Sequence, residues 1–132
     1  MCHYDLRLDN LLFDDEVNDV CVIDFQLMGT HVGPFDLAYF LAWSVTPEQR
    51  GACQQPMIDA YVDELAARGV AVTPDWVFET IRLTMLNVVS MAVMAGATAV
   101  VENERGEALV QALVERTFQA AADLDSAALL PA

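Results

Sequence analysis

Apolar positions divide the chain into a short N-terminal β segment and a long helical remainder. Residues 11–13 and 20–23 are short apolar runs, the second rich in β-branched side chains, and residues 14–19 between them are mostly Asp, Asn and Glu. Two runs of strand length around a polar turn predict a β-hairpin. Residues 29–34 contain two glycines and a proline and predict a loop after the hairpin.

Four or five helices are predicted beyond this loop. Residues 35–45 form the first, with apolar side chains at the helical positions Leu37, Phe40 and Leu41. Thr46 followed by Pro47 is typical of a helix start, and we expect regular helix over residues 55–68 with Gly69 as its stop. The first half of the helical region therefore contains two helices joined by an irregular segment.

The second half of the helical region begins with the same helix start signal, Thr followed by Pro. Thr73 and Pro74 open a long apolar helix, and residues 103–106 interrupt it. Residues 107–124 predict the last helix. Its apolar side chains, which we expect to face the core, are Leu109, Leu113 and Phe118.

One segment of the long apolar helix has nearly the length of a membrane span. Residues 83–101 carry no charged side chain, but they include Thr84, Asn87 and Ser90. The segment also lacks the basic flanks and aromatic belt of a membrane interface. We therefore predict a buried core helix, and no membrane as partner.

Composition fits one globular domain. The chain has 132 residues, of which 55% are hydrophobic, and a net charge of −14. This charge argues against nucleic acid or an anionic membrane as partner; it is compatible with a cationic ligand, although its usual meaning is solubility. Three cysteines without zinc spacing, and no basic segment before an apolar stretch, predict a cytoplasmic protein.

A group of polar residues near the N-terminus carries the candidate chemistry. His3, Asp5 and Asn10 form the pattern H-x-D-x-x-x-x-N, and Asp24 follows the second predicted strand as part of I-D-F. In phosphoryl transfer, the first Asp of this pattern accepts a hydroxyl proton, and the Asn and second Asp hold magnesium. The hairpin would bring Asp24 back beside Asn10. The alternative is that these residues only cap turns and a strand end.

Residues 3–41 resemble the catalytic core of the aminoglycoside phosphotransferase-like kinases, closest to the branch of ecdysteroid-kinase-like proteins. The match includes the loop motif, the strand ending in I-D-F and the helix start G-P-F-D-L-A-Y-F at residues 33–40. The resemblance implies a mainly α fold with a short β-hairpin (α+β), the C-terminal lobe of a protein-kinase-like fold. In this single domain, residues 1–34 would hold the catalytic loop, hairpin and metal-binding segment, and residues 35–132 a helical substrate-side subdomain.

The resemblance also implies roles for individual residues. Asp5 would be the catalytic base and His3 an architectural residue under the loop. Arg7 would steady the transferred phosphate, unless it pairs with Asp9 or Glu16 on the surface. Asp36 would brace the catalytic loop through its backbone, or act as a simple carboxylate at a helix N-terminus.

Two departures from the family pattern bear on activity. Tyr4 stands where the family has Gly, so a bulky ring lies beside Asp5. The sequence also contains no Gly-rich loop, strand Lys or partnering Glu before the motif, which the family builds in an N-terminal lobe. We therefore expect a lobe that is weakly active or inactive alone.

The resemblance implies a small-molecule kinase that uses ATP or GTP with Mg²⁺ to phosphorylate a hydroxyl. Expected partners are a small-molecule hydroxyl substrate, a separate N-terminal lobe, or a second copy bound through the exposed lobe face. The alternative is a non-catalytic helical interaction or regulatory module derived from a kinase.

Overall fold

A two-stranded sheet precedes a set of four helices in the computed structural model, which describes residues 1–14, 16–100 and 103–131. Strands β1 (Leu11–Asp14) and β2 (Asp19–Val22) pair antiparallel, with Leu11 opposite Val22. The predicted hairpin and the mainly α fold class are therefore confirmed. Asp15, in the predicted turn, lies outside the described residues.

Three of the four helices pack around the third helix in chain order. Helices α1 (Pro34–Trp43), α2 (Pro47–Ala67), α3 (Pro74–Thr98) and α4 (Glu104–Asp123) follow in chain order, and α3 contacts each of the other three. Short 3₁₀ helices lie at Leu8–Asn10, Phe25–Leu27 and Ser126–Leu129. The largest fully buried apolar side chains come from α1, α2 and α3: Phe35, Leu41, Ile58, Val77, Ile81, Met85 and Val88.

Helix α2 is longer than predicted. The expected irregular segment before residue 55 is wrong, because a capping box between Thr46 and Gln49 starts the helix at once, and the single interior Pro56 does not stop it. The predicted stop is confirmed. Gly69, with φ of 79°, ends α2 in a Schellman motif, since its N–H and that of Val70 bond the carbonyls of Ala66 and Leu65.

Helix α3 is buried on one face only. Its buried side chains repeat every three or four residues and are Val77, Ile81, Thr84, Met85, Val88 and Ala92. On the other face Leu83 and Met94 are 58% and 61% exposed, so the prediction of a helix buried on all sides is wrong. By length and composition the helix could cross a membrane, with mean hydropathy of 1.4 and a third of its most apolar stretch buried. Val101, which ends the predicted apolar segment, lies outside the described residues.

Helix α4 starts earlier and faces differently than predicted. Asn103 accepts a hydrogen bond from the Gly106 N–H at 2.9 Å, so the predicted interruption is an N-cap. Leu109 and Phe118 are about half exposed, and the prediction that they face the core is wrong. The buried α4 side chains are the smaller Thr117 and Ala120. Small side chains on the contact face let α4 approach its neighbours closely.

A buried cation ties α2 to α4. Arg50 is 2% exposed, and its guanidinium forms an ion pair and hydrogen bond with the Asp123 carboxylate. The Asp123 side chain is itself 46% exposed. The desolvation cost therefore falls mainly on the arginine, which depends on this one partner for its charge among the described residues.

The difference in burial between Arg50 and Asp123 gives a prediction about stability. Asp123→Asn should lower the free energy of unfolding by about 2–4 kcal/mol, because it leaves the buried guanidinium without a counter-ion. Arg50→Met should cost clearly less, since the carboxylate left behind can be hydrated. Urea denaturation measures both. Glu64→Gln, which breaks the exposed pair with Arg68, is the control and should cost less than about 1 kcal/mol. Equal losses in Asp123→Asn and Arg50→Met would contradict the argument.

Candidate active site

The carboxylate of Asp36 holds the start of the catalytic loop. Asp36 lies in the first turn of α1, where the helix dipole favours a negative charge. Its Oδ2 accepts a hydrogen bond from the His3 N–H at 2.8 Å and its Oδ1 one from the Tyr4 N–H at 3.0 Å. The sequence left two roles open for Asp36, a brace for the loop and a carboxylate at a helix N-terminus. The same side chain has both roles in the structure.

His3 joins the loop to the end of β2. Its Nδ1 accepts a hydrogen bond from the Asp5 N–H at 3.3 Å, which assigns the ring proton to Nε2. Nε2 then donates to the carbonyl of Ile23 at 2.8 Å. The ring packs edge-on against that of Phe25, with 4.9 Å between the ring centroids. With both ring nitrogens engaged and 7% of the residue exposed, His3 is placed to support the loop.

Asp5 lies at the centre of the site with both carboxylate oxygens bound. Oδ1 accepts a hydrogen bond from the Tyr39 hydroxyl at 2.8 Å, and Oδ2 accepts one from Asn10 Nδ2 at 3.0 Å. The side chain is 16% exposed. Two neutral donors therefore fix the direction of the carboxylate.

The Tyr39 contact was not assigned from sequence. Tyr39 is 3% exposed, and its burial, together with the bond to Asp5, raises its pKa well above the ordinary tyrosine value. The phenol therefore stays protonated and donates to Asp5 throughout the physiological range. Its spacing from Asp36 was the available clue, because residues three apart lie on one face of a helix.

Asn10 and Asp24 are brought together by the hairpin. Asn10 Nδ2 also donates to the Asp5 carbonyl at 2.8 Å, and the Asn10 carbonyl accepts the Ile23 N–H at 3.0 Å. Asp24 follows directly, with φ of 63° in the left-handed region. The backbone of Asp24 is thus next to the point where Asn10, which binds Asp5, pairs with the end of β2.

The oxygens at this corner suit magnesium. Both Asn10 Nδ2 protons are used within the loop, Oδ1 accepts no hydrogen bond from the residues that the structure describes, and the Asp24 side chain is exposed. No cluster of three or more His, Cys, Asp or Glu occurs among the described residues. Mg²⁺ does not need one, because it keeps several waters and binds one or two protein oxygens together with substrate phosphates.

Comparison with known proteins identifies the family. The family model for the ecdysteroid kinase-like family matches residues 1–70, more than half of the chain. The chain belongs to the ecdysteroid kinase-like family. The match covers the loop, the hairpin, α1 and α2, and the family relationship indicates a kinase-like phosphotransferase. No curated protein and no solved structure matches the chain significantly.

Tyr4 shows why this family pattern has Gly at its position. Its φ of 68° lies in the left-handed region, which costs a bulky L-residue free energy but not Gly. The centroid of its ring lies 4.9 Å from that of Phe35 and 5.6 Å from that of His31. Its hydroxyl donates a hydrogen bond to the Thr30 carbonyl at 3.3 Å. The ring thus lies against the loop before α1, and these contacts offset the backbone strain.

Arg7 lies between two carboxylates. Its Nε is 3.3 Å from Asp5 Oδ1 without forming a hydrogen bond to it, and its Nη1 is 3.3 Å from Asp9 Oδ2. The pairing with Asp9 is one of the alternatives open from sequence; a pair with Glu16 does not occur in the described part of the chain. Arg7 is therefore next to Asp5.

The backbone strain at Tyr4 can be measured separately from the packing of its ring. Tyr4→Gly and Tyr4→Ala both remove the ring, but only Ala retains a Cβ in the left-handed conformation. We expect Tyr4→Gly to be more stable than Tyr4→Ala by about 1 kcal/mol in urea denaturation.

The exposed helical position Ala60 in α2 is the matched control. There the preference should be reversed, with Ala60→Gly less stable than the unsubstituted chain by about 1 kcal/mol. An Ala preference at position 4 would show that the residue does not hold this backbone conformation in solution.

Proposed function

We propose that this chain is a phosphotransferase lobe that moves the γ-phosphate of ATP or GTP to a hydroxyl of a small molecule. One observation carries the proposal: Asn10 binds the Asp5 carboxylate at 3.0 Å while its backbone pairs with Ile23, the residue before Asp24. A base and two oxygen ligands at one corner are what this reaction requires. Ecdysteroid kinase-like membership supports the same reaction class.

In the proposed reaction Asp5 orients the acceptor hydroxyl and takes its proton as the new O–P bond forms. The bond between the γ-phosphorus and the bridging oxygen breaks, and the nucleoside diphosphate leaves with that oxygen. Tyr39 and Asn10 hold Asp5 in one orientation through its two oxygens. Such positioning supplies much of the rate enhancement in phosphoryl transfer, where the protein does little covalent chemistry.

Charge on the phosphates is the second requirement. Asn10 and Asp24 would hold Mg²⁺, which supplies positive charge against the phosphate oxygens when bound. Arg7 is the cation of the chain closest to Asp5 among the described ion pairs, and we assign it to the transferred phosphate. Its pairing with Asp9 keeps the guanidinium in place before the nucleotide binds.

A second lobe is part of the proposal. The 132 residues contain no Gly-rich loop or strand Lys, so we infer that an N-terminal lobe supplies them. Exposed apolar side chains on the hairpin and on the 3₁₀ helix that follows it support this docking: Phe13, Phe25, Leu27 and Met28. The isolated chain should then have little activity and could dimerise through the same side chains. We also propose a cytoplasmic site of action, which the three free cysteines support. The net charge of −14 supports the expectation that nucleic acid and anionic membranes are not partners.

A non-catalytic module derived from a kinase is the second candidate. The Tyr4 ring favours it, because a bulky residue replaces Gly next to the proposed base. In that case the Asp5–Asn10 pair would only stabilise the loop. The two candidates differ in whether the chain binds a magnesium nucleotide.

Nucleotide titration separates the candidates. We expect the chain to bind ATP in the presence of Mg²⁺, weakly, and Asp24→Asn to weaken that binding by about tenfold or more, because it removes a charged oxygen ligand. Calorimetric titration with and without Mg²⁺ measures the effect.

Asp63→Asn, at an exposed position of α2, is the charge-matched control and should bind like the unsubstituted chain. Absence of magnesium-dependent binding in all three proteins would support the non-catalytic module. Equal binding in all three would show that Asp24 is not a ligand.

A further inference from the structure

A cavity of about 180 Å³ opens beside the catalytic loop. Helix α4 and the end of α1 form its other sides, and the residues that matter here are Arg7, Leu8, Trp43, Leu109, Leu113 and Arg116. A larger depression of about 590 Å³ lies at the hairpin and shares no residue with the catalytic loop. The cavity beside the loop is therefore the one adjacent to the proposed base.

Trp43 and Arg7 both contribute to the walls of the cavity. Trp43 Nε1 and Arg7 Nε are buried and have no hydrogen-bond partner in the described part of the chain. Because neither atom is accessible to solvent, a ligand in the cavity does not reach these two donors. The charges on the lining side chains are therefore the groups that can select a ligand.

Arg116 adds a positive charge that the protein does not use elsewhere. Arg7, Arg50, Arg68 and Arg82 each form an ion pair within the described residues, whereas Arg116 forms none there. All six cations of this acidic chain are arginines, and two of them line this one cavity. The lining carboxylate, Asp9, is already paired with Arg7.

The walls between these charged side chains are apolar. Leu8, Leu109 and Leu113 supply them, and Leu109 is 50% exposed because it borders the cavity instead of the core. The Trp43 ring stacks on that of Tyr39 with 4.7 Å between the ring centroids, and the Tyr39 hydroxyl donates a hydrogen bond to Asp5. Two stacked rings, Trp43 and Tyr39, thus connect the cavity to Asp5. A volume of this size accommodates a group about as large as one six-membered ring.

We propose that the acceptor substrate carries an anionic group, a carboxylate, sulfate or phosphate, on a compact apolar body, and that Arg116 binds that group while the Trp43 ring packs against the apolar body. The inference rests on the proposed function for its assignment to an acceptor. It revises the expectation from net charge, which was compatible with a cationic ligand, because Arg116 lines this cavity without an ion pair among the described residues. Because the rest of the surface repels anions, binding here requires this local positive charge.

The test uses Trp43 as its own reporter. Trp43 and Trp76 are the two tryptophans, and Trp76→Phe removes the second at a position 45% exposed. In this background benzoate and phenyl phosphate should each change the fluorescence saturably, and whichever binds more tightly identifies the anion type. Benzamide, which has the shape of benzoate without its charge, should bind about tenfold more weakly or not at all.

Substitutions then assign the site. Arg116→Gln should weaken benzoate or phenyl phosphate binding by about tenfold or more, and Arg116→Lys by less, because lysine keeps the charge but not the fork of donors. Arg105→Gln removes the same charge from an exposed position outside the cavity and should leave binding unchanged. Thermal denaturation monitored by circular dichroism verifies that each variant is folded.

Three outcomes would overturn the inference: no saturable signal from either anion, equal binding of benzamide and benzoate, or equal binding by Arg116→Gln and the unsubstituted background. None of these measurements contains nucleotide or Mg²⁺. A chain that binds magnesium nucleotide but not benzoate or phenyl phosphate would retain the proposed function and lose this inference. A chain that binds the anions but no nucleotide would have the anion site without the kinase function.

Discussion

The two hydrogen bonds that the Asp36 carboxylate accepts from the backbone of His3 and Tyr4 fix the site to its scaffold. A loop with so little regular structure has few contacts of its own to define its position. Anchoring its first residues to the first turn of a core helix gives it the rigidity of that helix. The support continues through His3 to Ile23, so the loop and the end of β2 form one connected unit.

Helix α1 organises the site beyond this anchor. Asp36, Tyr39 and Trp43 are spaced three and four residues apart and so follow one face of the helix. The first binds the loop backbone, the second binds the proposed base, and the third lines the cavity. Because Ala38, Leu41 and Ala42 on the same helix are buried in the core, this face cannot rotate without disturbing the packing of the whole domain.

The sequence predicted local features well, and it reached the long-range contact between Asp36 and the loop only through the family resemblance, as one of two alternatives. The hairpin followed from two apolar runs around an acidic turn, and the stop at Gly69 from a residue that tolerates positive φ. The same local rules failed where packing decides: α2 continued through Pro56, and Leu109 faces a cavity. Tyr39 was not assigned because its partner, Asp5, is 34 residues away in the sequence. Arg116 was not assigned because the cavity that it lines is completed by residues outside its own helix. No periodicity encodes such contacts.

The placement of Asp36 and Trp43 on one rigid helix has a thermodynamic consequence. A change that displaces α1 disturbs the anchor of the loop, the hydrogen bond from Tyr39 to Asp5 and the wall of the cavity together. The three contacts are therefore not independent contributions to the free energy of unfolding, and the effects of substitutions at Asp36, Tyr39 and Trp43 should not add.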